Sequence, residues 1–511
     1  MKATVAEQLA SHQREIRDRL DPRQHGDPSR PAMTATNIDY EIAERVHGIT
    51  YGGIGAFHLL AQRIGLVDAI DDNLHVLKVR VVYHESDHVL NIAYNALCNG
   101  DCLQDIELRR NDVNFLDALG AQRIPDPTTA GDFCRRFNEH NINVLQDIYD
   151  DVRVGVWQRQ LEGFFEEAVL DADGTLVETK AEHKAGIDIA YDGTWGYHPL
   201  LVSLANTGEV MRIVNRPGNR PSHEGAADAL DRAMATCFRG GFRKVLLRGD
   251  TDFSQTAHLD RWNGDRRIRF IFGYNHTKNL DELATRLPDR AWKPLTRRQP
   301  APPRTKPRRR RPNVKEERVR AREFETKRLQ SESVAEFNYR PVLCQEEYRM
   351  VVVRKKISHE KGETWLFDDY LYFFYITNDW VEEAKDIVLA PRGANGRCDQ
   401  ENVIGQLHGG VHAFKTPVDS LLSNWAYMVM MALAWNLKAW AALILPETGA
   451  EEQNYRAVKS WLLGIEFKTF INALVAIPCQ IVRQARRVIY RVLAYNPYQP
   501  IFFRLLDVLR C

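Results

Sequence analysis

The sequence predicts an α/β protein. A core of strands and helices is interrupted by an inserted domain with strands, and flanked by an α-helical N-terminal region and a helical C-terminal region. Three observations predict this. Apolar runs close on acids at Val169-Leu170-Asp171-Ala172-Asp173-Gly174 and at Val245-Leu246-Leu247-Arg248-Gly249-Asp250, the form of buried strands that deliver a carboxylate to an exposed end. Short β-branched runs, separated by turn pairs such as Asp192-Gly193, Thr207-Gly208 and Pro217-Gly218, fill residues 166–279. On either side of that stretch the apolar period changes to that of helices.

Composition narrows the class. At 511 residues the chain is long enough for several units. With 44% hydrophobic and 27% charged residues it is globular and not disordered. The formal net charge is only +1, so any grip on a polyanion must come from local charge. Of the eight cysteines only Cys98 and Cys102 lie close together. No structural zinc is expected from that spacing, and scattered thiols suit a reducing cytoplasm. The first residues lack the apolar core of a secretion signal. Residues 421–445 are strongly apolar, yet Asn424, Asn436 and Lys438 interrupt them at a cost in hydrocarbon. A buried core helix is expected there, and no membrane partner.

Taken in order, residues 1–38 are polar and broken by Asp-Pro and Arg-Pro, a mobile tail with one short helix near its start. Residues 39–160 repeat apolar positions at helical spacing, as in Ile54, Phe57, Leu60 and Ile64. Pro125-Asp126-Pro127 halts the chain, and Thr128 and Thr129 with Asp132 open a helix over 130–137 that carries Arg135 and Arg136. Such a module suits a helix-turn-helix contacting DNA, against the plainer reading of a surface helix with solvated charges. Residues 161–280 hold strands at 168–170, 187–190, 200–204, 210–214, 245–247 and 268–272, with a helix over 224–237. Three strands, a helix, then a strand ending in Asp250 is the order of a ribonuclease-H-like core. In that order the first and fourth strands are neighbours, so Asp173 and Asp250 end side by side.

Residues 281–370 read as a basic insertion. Residues 300–312 are proline-rich and include Arg308, Arg309, Arg310 and Arg311, cations that stay solvated until a polyanion binds. A mixed-charge helix over 316–329 follows, then strand-like runs at 348–353 and 372–376. Residues 371–417 return to the core with a helix carrying Glu401 and stopping near Gly409-Gly410. Residues 418–511 read as helical, basic near Arg483, Arg486, Arg487 and Arg491.

Asp173, Asp250 and Glu401 are the candidate catalytic and metal-ligating residues. Three converging carboxylates repel one another, and hard divalent cations with oxygen ligands reverse that logic. Two Mg²⁺ ions per site, with Mn²⁺ as a substitute, activate an attacking water or 3′-hydroxyl and stabilise the departing oxygen of a phosphodiester. Asp173 is assigned as the bridging ligand, with Asp250 and Glu401 holding one ion each. Asp171 and Asp252, each two residues away, are the competitors for the aspartate positions.

Asp173-Gly174-Thr175, Arg248-Gly249-Asp250 and Arg397-x-x-x-Glu401, with Gly196-Tyr197-His198-Pro199-Leu200, Gly218-Asn219 and Tyr375-Ile376-Thr377-Asn378, resemble the DDE transposases of bacterial insertion sequences. Within that class the resemblance is to the family numbered thirteen-eighty, over about residues 50 to 440. It implies a DDE-type polynucleotidyl transferase that binds terminal inverted repeats, cuts at the element's ends and joins the 3′-ends to target DNA. It also implies a homodimer in the DNA complex and a bacterial, nucleoid-associated, cytoplasmic location. The related elements carry Tyr-x-x-Arg-x-x-x-Glu and, seven residues later, Lys. Here Ala394 and His408 stand at the Tyr and Lys positions. Arg397 and His408 are candidate contacts to terminal phosphate, with His408 donating when protonated. Trp365 and Trp380 are candidate stacking platforms for an unpaired end base, against the plainer account that they fill the core of the insertion. The two departures motivate an alternative, a transposase-derived DNA-binding protein without strand transfer; a third reading is a ribonuclease-H-like nuclease that hydrolyses without joining.

Overall fold

Alternation along residues 168–174 decides how the central strand faces. Ala168, Leu170 and Ala172 are buried on one side, and Val169 and Asp171 on the other, as a period of two requires. The computed structural model describes residues 3–21, 47–80, 82–297, 314–322, 324–362, 364–447, 452–484 and 487–510. Arg308–Arg311 and residues 22–38 of the expected tail lie outside the described residues, whereas Ala3–Arg19 form a helix.

The elements that build the core are, in chain order, α1 (Glu85–Leu97), α2 (Pro127–Arg135), α3 (Glu139–Trp157), β1 (Ala168–Gly174), β2 (Leu200–Leu204), β3 (Glu209–Val214), α4 (Ala226–Gly240), β4 (Val245–Gly249), β5 (Ile268–Tyr274), β6 (Lys293–Pro294), β7 (Glu325–Tyr339), β8 (Tyr348–Lys361), β9 (Thr364–Thr377), α5 (Ala384–Leu389), α6 (Cys398–Gly409) and α7 (Leu421–Leu443). Among the described residues nine strands form one mixed sheet, ordered β6-β7-β8-β9-β5-β4-β1-β2-β3. β1, β4 and β5 are parallel neighbours, while β2 and β3 continue from β1 as antiparallel strands. The parallel β1–β4 pairing needs a crossover, and α4 lies within it. β7, β8 and β9 are long antiparallel strands whose inner end joins β5 through Phe374–Thr377. Strands from the basic stretch therefore extend the same sheet that carries Asp173.

Each face of the sheet is covered differently. Ile387 and Val388 of α5 pack on Val169, Leu246, Ile271, Val351 and Val353. The opposite face joins the main core, where α7 lies against α1, α3 and β3. α7 is long and apolar enough to cross a membrane by length and composition, but it is buried within the protein. Its interrupting polar groups are all partnered. Asn436 bridges the Val210 N–H and C=O, Asn424 donates to Val418 and Ser420 carbonyls, and Lys438 Nζ donates to Leu463 O at 2.9 Å.

Three local expectations give way. Residues 325–329 belong to β7 rather than to a helix, which ends at Ala321. Their alternating charges are held by pairing to β8, and tertiary pairing overrides composition. Cys479–Gln484 and Arg487–Val492 form a β-hairpin that pairs with Gly48–Ile49, where a helix was expected. Ile481, Val482, Val488, Ile489 and Tyr490 are β-branched or aromatic, the residue types that suit such a ladder. The start of α2 is Asp126, whose side chain accepts from Thr129 N at 2.8 Å, with Pro127 in the first turn.

A buried ionic network joins α3, β3 and α7. Glu209, fully buried, accepts from Arg153 Nε at 3.0 Å, Trp157 Nε1 at 2.9 Å, Trp440 Nε1 at 2.8 Å and Thr207 Oγ1 at 2.7 Å. Arg153 also pairs with Asp150, which accepts from Arg212 and Thr236. Removing one acid from such a set leaves a buried cation uncompensated. Glu209→Leu is expected to cost about 3–5 kcal/mol in a denaturant titration, and a loss under about 1 kcal/mol contradicts the network's role.

Candidate active site

Parallel pairing of β1 and β4 places Asp171 opposite Arg248 and Ala172 opposite Gly249. One step further along, Asp173 and Asp250 leave the ends of adjacent strands, whose backbones lie about 4.8 Å apart. Both belong to the face that carries Val169, Asp171, Leu246 and Arg248. Asp250 Oδ1 accepts from Asp252 N at 2.9 Å and so caps the short turn Thr251–Phe253. Gly273 lets β5 come alongside that turn: a Cβ there would lie 2.6 Å from Thr251 N and 2.9 Å from Asp250 C.

The third carboxylate arrives on α6. Gln400, almost fully buried, donates from Nε2 to Asp171 O at 2.9 Å and to Leu201 O at 3.1 Å, pinning the first turn of α6 across β1 and β2. Glu401 follows it and is exposed, and Arg397 precedes it by four residues on the same helical face. Arg397 Nη1 donates to Asp173 Oδ2 at 3.1 Å.

Electrostatics tie these groups together. Burial pushes the Asp173 carboxyl up to about 6; Arg397 opposes that rise, and the charges of Asp250 and Glu401 add to it. Burial also raises Asp250, against the Asp252 N–H bond and the charge of Arg397. The ligand atoms of the three acids do not all come within 4.8 Å of one another, a spacing reached among the described residues by Asp101, Cys102 and Asp105. The donor set is nevertheless all-oxygen and mutually repelling, which is what a hard divalent cation requires.

The two competing aspartates separate cleanly. Asp171 is buried and accepts from Arg248 Nε at 2.7 Å and Nη2 at 2.8 Å, so its carboxylate is committed to an internal ion pair. Asp252 is exposed on the turn that Asp250 caps. Arg248 and Gln400 were not singled out from the sequence, although an arginine inside an apolar run two residues before Asp250 demands a buried partner.

The other candidates lie as follows. His408, half-buried at the end of α6, shares a 3.0 Å hydrogen bond between Nε2 and Thr175 Oγ1, and burial pulls its pKa below the ordinary value. That contact fastens the end of α6 to the turn after Asp173, and the lowered pKa disfavours the protonated form that phosphate donation was expected to use. Ala394 packs at the edge of the apolar cluster under α5. Arg135 is held by Asp132 and Asp419, and Arg136 is exposed beside it. Trp365 is 59% exposed, at the outer end of β9, about 30 Å beyond its junction with β5. Trp380 is exposed just past β9. Neither indole fills a core, and the structure brings neither to the three acids.

A family model described as transposase DDE domain group 1 matches residues 49–511. No curated protein matches the sequence. Among solved structures the chain is similar to the cryo-EM structure of the piggyBac transposase synaptic complex with hairpin DNA. That match has 9% identity and a TM-score of 0.34, and covers 82% of each chain.

The raised Asp173 pKa has a measurable consequence. Between the ordinary value of 3.8 and about 6 the folded protein binds more protons than the unfolded chain. Its contribution to stability is therefore full below that window and is lost as pH rises through it. A divalent cation must displace that proton, so Mn²⁺ affinity, measured by titration calorimetry from about pH 5 to about pH 8, is expected to fall about tenfold per unit below about pH 6. Asp173→Asn flattens the profile, and a wild-type affinity independent of pH contradicts the assignment.

Proposed function

The chain belongs to the DDE transposase family, group 1, by a match across residues 49–511, and we propose that this DNA transposase cuts at the inverted-repeat ends of a mobile element. The 3′-hydroxyl so freed then attacks a phosphodiester of target DNA. The observation that carries the proposal is the convergence of Asp173 and Asp250, at the ends of neighbouring parallel strands, with Glu401 on α6 and Arg397 at its N-terminal cap. The strand order β3-β2-β1-β4-β5, with its parallel and antiparallel senses, supports reading the core as ribonuclease-H-like. The region boundaries at residues 38, 160, 280, 370 and 417 are proposed with it.

Asp173, Asp250 and Glu401 would hold a pair of Mg²⁺ ions, or Mn²⁺ in their place, which would supply activation of the attacking oxygen and stabilisation of the leaving oxygen. The chain's own residues do the rest. Asp173, which Arg397 contacts, would be a ligand together with Asp250 and Glu401. Arg397 spends one of its N–H donors on Asp173 and has others to offer a phosphate oxygen at the same point. Gln400 holds the helix that carries Glu401 on the sheet. Phosphate contacts away from the chemistry are assigned to Arg308–Arg311, with Arg136 and Arg135 of the N-terminal helical region as further candidates, and such contacts weaken steeply with salt. Trp365 and Trp380, being exposed, remain available to stack on bases. Membership of the insertion-sequence family numbered thirteen-eighty, a bacterial nucleoid-associated location and a homodimer that holds two ends complete the reading.

One observation favours a second reading. Ala394 packs into an apolar cluster and has no polar side chain to offer a phosphate, and His408 Nε2 already shares a hydrogen bond with Thr175. A DNA-binding derivative without strand transfer is the reading this favours.

The test uses a DNA end carrying the inverted repeat that flanks the gene. Asp173→Asn, Asp250→Asn and Glu401→Gln are each expected to slow Mg²⁺- or Mn²⁺-dependent cleavage and joining by on the order of a thousandfold while leaving DNA affinity unchanged. Full cleavage by any one of them contradicts the assignment. Binding by the wild-type protein without cleavage selects the DNA-binding derivative, and cleavage without joining selects a nuclease.

A further inference from the structure

Arg248 uses its guanidinium on two sides. Nε and Nη2 close a bidentate pair with Asp171 on the adjacent strand. Nη1 donates to Pro391 O at 3.1 Å and to Gly393 O at 3.0 Å. Those two carbonyls belong to the turn between α5 and the Ala394–Arg397 helical turn, the piece of backbone that leads Arg397 onto Asp173 and opens α6. The turn is wrapped closely around the arginine. A Cβ at Gly396 would lie 2.4 Å from Arg248 Nη1 and 2.0 Å from Pro391 O, and one at Gly393 would lie 2.6 Å from Asp386 O.

Arg248 and Asp171 are both nearly inaccessible to solvent, so neither can turn to water in place of the other. A planar fork with fixed donor directions is what sets this geometry; a lysine carries the charge but not the directions. Resting on the proposed transposase reading, we propose that Arg248 is a positioning residue. It fixes the turn over residues 391–396 to the sheet, and through that turn sets where Arg397 and Glu401 stand relative to Asp173 and Asp250. Asp171 orients the guanidinium and takes no part in the site itself.

The test compares Arg248→Lys with a double variant, Asp171→Leu with Arg248→Met, which removes the buried charges together and so guards against simple unfolding. Full-length proteins are compared at a temperature where circular dichroism shows each to be folded. Three readouts are taken: affinity for the inverted-repeat DNA, single-turnover cleavage in Mn²⁺, and amide hydrogen exchange over residues 391–401. Both variants are expected to bind DNA as the wild type does, to cleave on the order of a hundredfold more slowly, and to exchange faster over 391–401 with β1 and β4 unchanged. Cleavage at the wild-type rate by either folded variant overturns the proposal. So does slow cleavage with unaltered exchange over 391–401, or a loss that DNA affinity alone accounts for. If the wild-type protein binds the DNA but cuts none, the transposase chemistry fails on its own. The exchange arm then still decides whether Arg248 holds the turn.

Discussion

Like charges gathered in a small, partly dry space need something to hold them there. Asp173 and Asp250 end adjacent parallel strands, and the strand spacing leaves their backbones no room to part. Glu401 is brought to the same place by a helix pinned through Gln400 to two strand carbonyls. Much of the surrounding structure answers that repulsion. Arg397 lies against Asp173, the Asp252 N–H caps Asp250, and Arg248 neutralises Asp171 one step deeper. The result has two layers: an inner ion pair with every group satisfied, and an outer rim where carboxylates outnumber cations. On the proposed reading, the rim is where a hard cation would find its ligands.

The sheet links this rim to a distant surface. β7, β8 and β9 run on past the core as one antiparallel arm, joined to β4 and β1 through β5. Lys327, Arg328, Lys355 and Lys356 lie along it, with exposed Leu329, Trp365, Phe367 and Tyr370. Opposed charges across strands, such as Lys356 with Asp368 and Arg328 with Glu360, keep the arm soluble while its aromatic groups stay exposed.

The core was legible in the sequence because burial there is periodic. Apolar runs at 168–170, 200–204, 210–214, 245–247 and 268–272 all lie within β1 to β5. The adjacency of Asp173 and Asp250 followed from strand order alone. Choosing between Asp171 and Asp173 did not, since both lie on one face and the decision rests with Arg248, 77 residues further on. The contact of His408 was hidden for a similar reason: its partner, Thr175, is 233 residues away, and burial lowers its pKa. Residues 325–329 read as helical by composition, and only pairing with β8 makes them strand. The exposure of Trp365 was equally hidden, because aromatic residues are buried by default and the outer part of β9 pairs only with β8, past the end of β5.

The account stands on the site at the ends of β1 and β4 being a cation site. The most direct measurement is anomalous scattering from a crystal of the wild-type protein soaked in Mn²⁺. The account predicts density bound by Asp173 together with Asp250 and Glu401, with Asp171 still closed on Arg248. Manganese found only elsewhere, as at Asp101, Cys102 and Asp105, or held by Asp171 in place of Asp173, would contradict it.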